Sequence, residues 1–176
     1  VCLMKKVLLA IDGLYPGKDI FTYSVQFCQR MSTELVILQI VNPKCYKDIF
    51  RSLQRKISSF QKFFEQTMET ATLAEAGGVD FARTCLEEGQ RQLNNVMPIS
   101  REAGIDAQVL QCLGRPDKEI YNYVKNNRDI ILTVYDSNGF QNRGNFEQKK
   151  NLLKRKVSYN LGIPLVVLQP GQEGKV

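Results

Sequence analysis

Four stretches of this chain are almost continuously apolar: Val7-Leu-Leu-Ala-Ile11, Glu34-Leu-Val-Ile-Leu-Gln-Ile-Val41, Asp129-Ile-Ile-Leu-Thr-Val-Tyr-Asp136 and Ile163-Pro-Leu-Val-Val-Leu168. A strand wetted on one face alternates apolar with polar residues. An unbroken run is apolar on both faces, which suits a parallel sheet covered by helices on either side. No two-residue hairpin signal joins any pair of runs, and parallel neighbours require long crossovers. A fifth stretch, Ile105-Asp-Ala-Gln-Val-Leu-Gln-Cys-Leu113, alternates with one more polar face and suits an edge strand.

The segments between these runs read as helices. Ile20, Tyr23, Ser24, Phe27, Cys28 and Met31 fall at helical spacing, with Asp19 placed as an N-cap. Gly114-Arg-Pro116 opens another helix, with proline in its first turn and Ile120, Tyr123 and Val124 facing inward. Asn145 with Gln148 resembles a capping box at the start of a basic helix running to Asn160, and Gly162 marks its end. Between the second and third strands lies an enlarged helical region, residues 46–103. Phe50, Leu53, Ile57, Phe60, Phe64, Thr67, Ala71 and Ala74 form one series; Val79, Ala82, Leu86, Gly89, Leu93, Val96, Ser100 and Ala103 form a second, with Pro98 placed to kink it. Gly77-Gly78 between them suggests the turn of an antiparallel hairpin; one longer helix packed on the sheet is the alternative. The fold class expected is α/β: a doubly wound, five-stranded parallel sheet with helices on both faces. At 176 residues, without a linker or a repeat, a single domain is expected, with a loose tail at 170–176.

Composition excludes several chemistries. The sequence contains no histidine, which removes Ser-His-Asp and Cys-His catalysis and histidine-based metal sites. Its five cysteines, Cys2, Cys28, Cys45, Cys85 and Cys112, are scattered and never in C-x-x-C spacing, the usage of a reducing cytoplasm. No run approaches the length of a membrane span, and nothing at the start reads as a signal peptide. Asp12, Asp136 and Asp129 make no metal cluster, because Asp129 begins a strand while the other two end strands. Net charge is +6, and nearly all of it lies between Gln141 and Lys156, where six basic residues face Glu147 for a net of +5.

Several of these segments, taken in order, resemble the universal stress protein family. They are Val7-Leu-Leu-Ala-Ile-Asp-Gly13, Gly114-Arg-Pro116 followed by Ile120, Asp129-Ile-Ile-Leu132, Ser137-Asn-Gly139, and Val157-Ser158 before Ile163–Leu168. The resemblance spans Lys5 to Gln169 and implies strand order 3-2-1-4-5, frequent dimers, and in many members ATP or AMP held through G-x-x-G, nine residues, then G-(S/T). In such motifs the glycines let backbone N–H groups approach phosphates. By the same resemblance Asp12 matches the acidic residue closing the first strand, and Val41 the end of the second strand, which lines the base. Asp136 stands at the first glycine position and Gly139 at the second. The following spacing grows by about six residues, and Arg155 and Lys156 stand where the final G-(S/T) would precede Val157 and Ser158. A carboxylate at Asp136 repels a phosphate.

The expected function is therefore a non-enzymatic regulatory or interaction module with a degenerate nucleotide site and no cofactor. It would be a homodimer through the last strand, with a second candidate partner surface on the Phe-rich stretch 50–71. The alternative keeps ATP, AMP or another anion, with or without Mg²⁺, through basic side chains replacing the glycine contacts. Contact of the +5 patch with nucleic acid or an acidic membrane is a third reading. Only Phe140 and Phe146 could stack on bases, and nucleic acid is not expected.

Overall fold

The computed structural model describes residues 4–42, 73–137 and 146–168, with backbone only at 73–82, Phe146 and Lys149. The elements run β1 (Lys6–Asp12), α1 (Lys18–Met31), β2 (Glu34–Val41), α2 (Leu73–Glu102), β3 (Ala107–Leu113), α3 (Pro116–Asn126), β4 (Ile130–Asp136), α4 (Phe146–Leu153), a π-helical segment (Lys154–Tyr159) and β5 (Leu165–Leu168). The five strands form one sheet in the order β3-β2-β1-β4-β5, and every neighbouring pair is parallel.

The period of two along β1 divides the core into two layers. Val7, Leu9 and Ile11 point to one face, where Phe21, Val25 and Cys28 of α1 and Leu93 and Val96 of α2 cover them. Leu8 and Ala10 point to the other, against Ile120 and Val124 of α3 and Leu153 and Val157 of the last helical region. Nearly all of these side chains are fully buried, and burying each large aliphatic one contributes about 1.5–3 kcal/mol. The unbroken apolar runs thus carry helices on both faces. The polar face of β3 is explained by its place at the sheet edge, where none of its residues is fully buried and Gln108 and Leu113 are exposed.

Three local expectations change. Helix α1 is capped by Gly17, not Asp19: the Phe21 N–H bonds to the Gly17 carbonyl at 2.9 Å, so the first turn starts earlier and Asp19 lies within it, where a carboxylate favours the helix dipole. No hairpin turn forms at Gly77-Gly78; α2 runs through both glycines and Pro98 to Glu102. Its inward series holds at Gly89, Leu93, Val96 and Ser100, with Cys85 added. The Phe-rich stretch 50–71, Asn145 and the 170–176 tail lie outside the described residues. Finally, the basic helix is not uniform, since it widens to π geometry from Lys154 to Tyr159. Its expected terminator holds: Gly162 has φ +68, a left-handed conformation natural to glycine, and its N–H bonds to the Ser158 carbonyl at 3.1 Å.

Candidate functional site at the carboxyl ends of the strands

In open α/β sheets ligands bind beyond the carboxyl ends of the strands, where the strand order reverses. Here that point lies between β1 and β4, and it is bordered by the ends of two strands that both finish on aspartate. The Asp12 carboxylate, 3% exposed, accepts a hydrogen bond from the Tyr135 hydroxyl at 2.6 Å. The Asp136 carboxylate, 1% exposed, accepts one from the Gly17 backbone N–H at 2.7 Å. Burial, then the Asp12 carboxylate, and beyond it Asp136 and Asp117, push the Tyr135 phenol far above its ordinary value, so it remains a neutral donor. Two buried carboxylates therefore border the switch point, one accepting from a phenol and the other from a backbone amide.

The basic residues lie to one side. The Lys156 ammonium donates to Asp117 Oδ2 at 2.7 Å, and the Arg115 guanidinium reaches both oxygens of the same carboxylate at 3.1 and 3.3 Å. Burial acts to raise Asp117, but the Lys156 hydrogen bond and charge, together with Arg115, outweigh it and hold the carboxyl below its usual range. On the same stretch Leu153 and Val157 are both fully buried, and Lys156, in the π-helical segment, meets α3. Lys156 is thus committed to an internal anion. Arg155 is exposed to solvent, and Ser158 is half-buried.

Val41 is fully buried at the end of β2. It packs with Leu14 of the loop after β1 and with Cys85 and Leu86 of α2. Gly139 lies outside the described residues. The sequence-level candidates therefore separate into three groups: Asp12 and Asp136 around the switch point, Val41 in an apolar plug beside it, and Lys156 in an ion pair with α3. Val157 is core. Three participants were not anticipated. Tyr135 read only as part of a buried strand, and Asp117, at the first turn of α3, carries no motif. Gln39 was hidden inside an apolar run, where a fully buried amide is itself the signal that something must satisfy it.

Among the described residues the cysteine thiols are not activated. Burial raises the thiols of Cys28, Cys85 and Cys112, the last to about 11 with help from Glu119. Among the described residues no group of acidic or cysteine side chains could hold a metal, and no helix is long and apolar enough to cross a membrane.

The whole architecture has close counterparts. The universal stress protein UspA from Lactobacillus plantarum aligns with a TM-score of 0.62 over 94% of this chain and 98% of that one, at 13% identity. The fold is that of the universal stress proteins. A universal stress protein from Archaeoglobus fulgidus, in complex with dAMP, aligns with a TM-score of 0.57 over 96% of this chain and 100% of its own, at 10% identity. A universal stress protein family member from Arabidopsis thaliana, with AMP bound, gives 0.51 over 93% and 90%, at 16% identity. No protein-family model and no curated protein sequence matches the chain. The universal-stress likeness is thus one of architecture, carried by the sheet and its crossovers.

Proposed function

We propose that this protein is a non-enzymatic regulatory or interaction module on the universal-stress fold, a homodimer through β5, whose nucleotide site has degenerated. The observation that carries this reading is the 2.7 Å bond from the Gly17 N–H to Asp136. A phosphate site needs backbone N–H groups facing an empty, electropositive space. Here such a group is spent on an internal carboxylate, and that carboxylate supplies the wrong sign of charge. On this reading Asp136, Arg155 and Lys156 do not supply the phosphate-binding groups that the fold family implies, although Asp12 and Val41 keep the residues expected at its adenosine end. The missing histidine and the raised thiols support a role without catalysis, and the scattered cysteines support a reducing compartment, the cytoplasm.

A second reading keeps an adenine nucleotide, and it is favoured by the dAMP and AMP held by two proteins of the same fold. In that version Arg155 and Lys156 would replace the glycine contacts. Against it, Lys156 already neutralises Asp117. Analysis of nucleotide released when the purified protein is denatured separates the two. No adenine nucleotide is expected, and stoichiometric release would establish the second reading.

A further inference from the structure

We propose that the outer edge of β3 is a self-association site, where a second copy of this chain docks edge to edge with its own β3 antiparallel to the first. Strand β3 ends the sheet on the side away from β5. The Leu35 N–H bonds to the Asp106 carbonyl and the Gly114 N–H to the Val41 carbonyl, so the even-numbered residues of β3 turn their backbone groups toward β2. Ala107, Val109, Gln111 and Leu113 therefore turn theirs outward, and among the described residues no strand lies beyond them. Sheet edges are ordinarily blunted by a charge, a proline, a bulge or a very short strand. Over its seven residues, Ala107-Gln-Val-Leu-Gln-Cys-Leu113, β3 carries no charge and no proline, and its register with β2 is unbroken. Leu113, at its end, is 43% exposed.

The helix beside this edge indicates what covers it. Helix α2 lies over β2 and β3, and its outer flank, with Arg83, Glu87, Gln90, Arg91 and Asn94, shares a groove of about 400 Å³ with Gln111. Two contacts fix the level of the helix: Gln111 donates to the Leu86 carbonyl at 3.1 Å, and a Cβ on Gly89 would sit 2.8 Å from Gln39, the register partner of Gln111. A twofold axis through Gln111, normal to the sheet, therefore also passes level with Gly89. It joins Val109 to the partner's Leu113 and lays the two α2 helices antiparallel on one face of the joined sheet. Two strand spacings separate them, about 10 Å, an ordinary helix-packing distance. Counting from Gly89, Glu87 then faces the partner's Arg91, and Arg91 the partner's Glu87. The uncharged strands bring no like charges together. Gln108 and Gln111 leave β3 less apolar than β5, so this contact is the weaker of the two and separate from the β5 dimer proposed above. Twofold contacts on opposite edges of one sheet extend an assembly instead of closing it.

Sedimentation and amide hydrogen exchange test it in Val166→Lys, which charges the β5 edge and isolates the β3 contact. At several hundred micromolar this variant should form dimers. Its Val109, Gln111 and Leu113 amides should then exchange about threefold more slowly than in dilute solution, with the Gln108 and Leu110 amides unchanged. Arg91→Glu should weaken the association about tenfold, and Glu87→Arg combined with Arg91→Glu should restore it. In the unsubstituted protein the same contact should carry dimers into larger species as concentration rises, with the same response to the charge swap. A Val166→Lys protein that stays monomeric at several hundred micromolar, or whose association ignores Arg91→Glu, would overturn the β3 contact. The β5 dimer is decided separately, by the unsubstituted protein at tens of micromolar.

Discussion

Gly89 lies inside α2, where glycine costs about 1 kcal/mol relative to alanine in helix propensity. The sequence shows it only as a weak point in an apolar seam. Its reason is a contact across 50 residues of chain: a Cβ here would sit 2.8 Å from Gln39 Oε1 and 2.9 Å from Nε2. Gln39 cannot swing aside without abandoning its bonds to Gly13, Leu14 and Gln111. Gly89→Ala is therefore expected to destabilise by about 2 kcal/mol despite the gain in propensity, because it crowds the core or strands a buried amide. Urea denaturation measures it, and a neutral or stabilising result would show that Gln39 is not fixed. Thr133 offers the opposite case. Its hydroxyl is buried without a hydrogen-bond partner among the described residues. Thr133→Val should stabilise by about 1 kcal/mol, read in the same experiment.

At the scale of elements, the last helical region decides how its basic residues are used. Periodicity places a helix from Asn145 to Asn160 but carries no trace of where a helix loosens to i→i+5 bonding, so the π-helical segment and the route of Lys156 to Asp117 were illegible. Gly77-Gly78 shows the converse, a local break signal that left hairpin and continuous helix both open and through which α2 runs as a helix. The ion pair makes a prediction with a definite sign. Asp117 has a folded-state pKa below its unfolded value, so its stabilisation is complete above the unfolded value, near 4, and is lost as pH falls through the folded one. Lys156→Met should cost about 1–2 kcal/mol at pH 7, toward the low end for a charge-assisted bond because the lysine remains 32% exposed. It should also flatten the loss of stability between pH 5 and pH 2. Urea midpoints across that range would show both effects; an unchanged acid limb would mean that the pair contributes nothing.

For the molecule as a whole, the buried apolar runs and the long crossovers were enough to state a doubly wound parallel sheet, because patterning fixes which faces a strand must cover, while the strand order came with the resemblance to the universal stress proteins. The site was legible only in part. Asp12 and Asp136 could be named as strand-end carboxylates, but their partners lie 123 and 119 residues away along the chain, at Tyr135 and Gly17, and no local pattern encodes such contacts. Strand β5 is short, uncharged and half-buried at the sheet edge, the kind of edge that needs a cover. Sedimentation should give a dimer at tens of micromolar. Val166→Lys should give a monomer with unchanged far-UV dichroism, and a monomeric unsubstituted protein would refute the dimer.

On the function proposed above, a universal-stress architecture here surrounds strand ends that reject phosphate. Thermal unfolding with ATP, AMP and cyclic nucleotides at millimolar concentration, each with and without Mg²⁺, tests it most directly. A ligand present at 100 times its Kd would add about 2.7 kcal/mol and raise the melting temperature by several degrees. A flat response to every nucleotide is the expected result; a saturable rise with any one of them would contradict the claim.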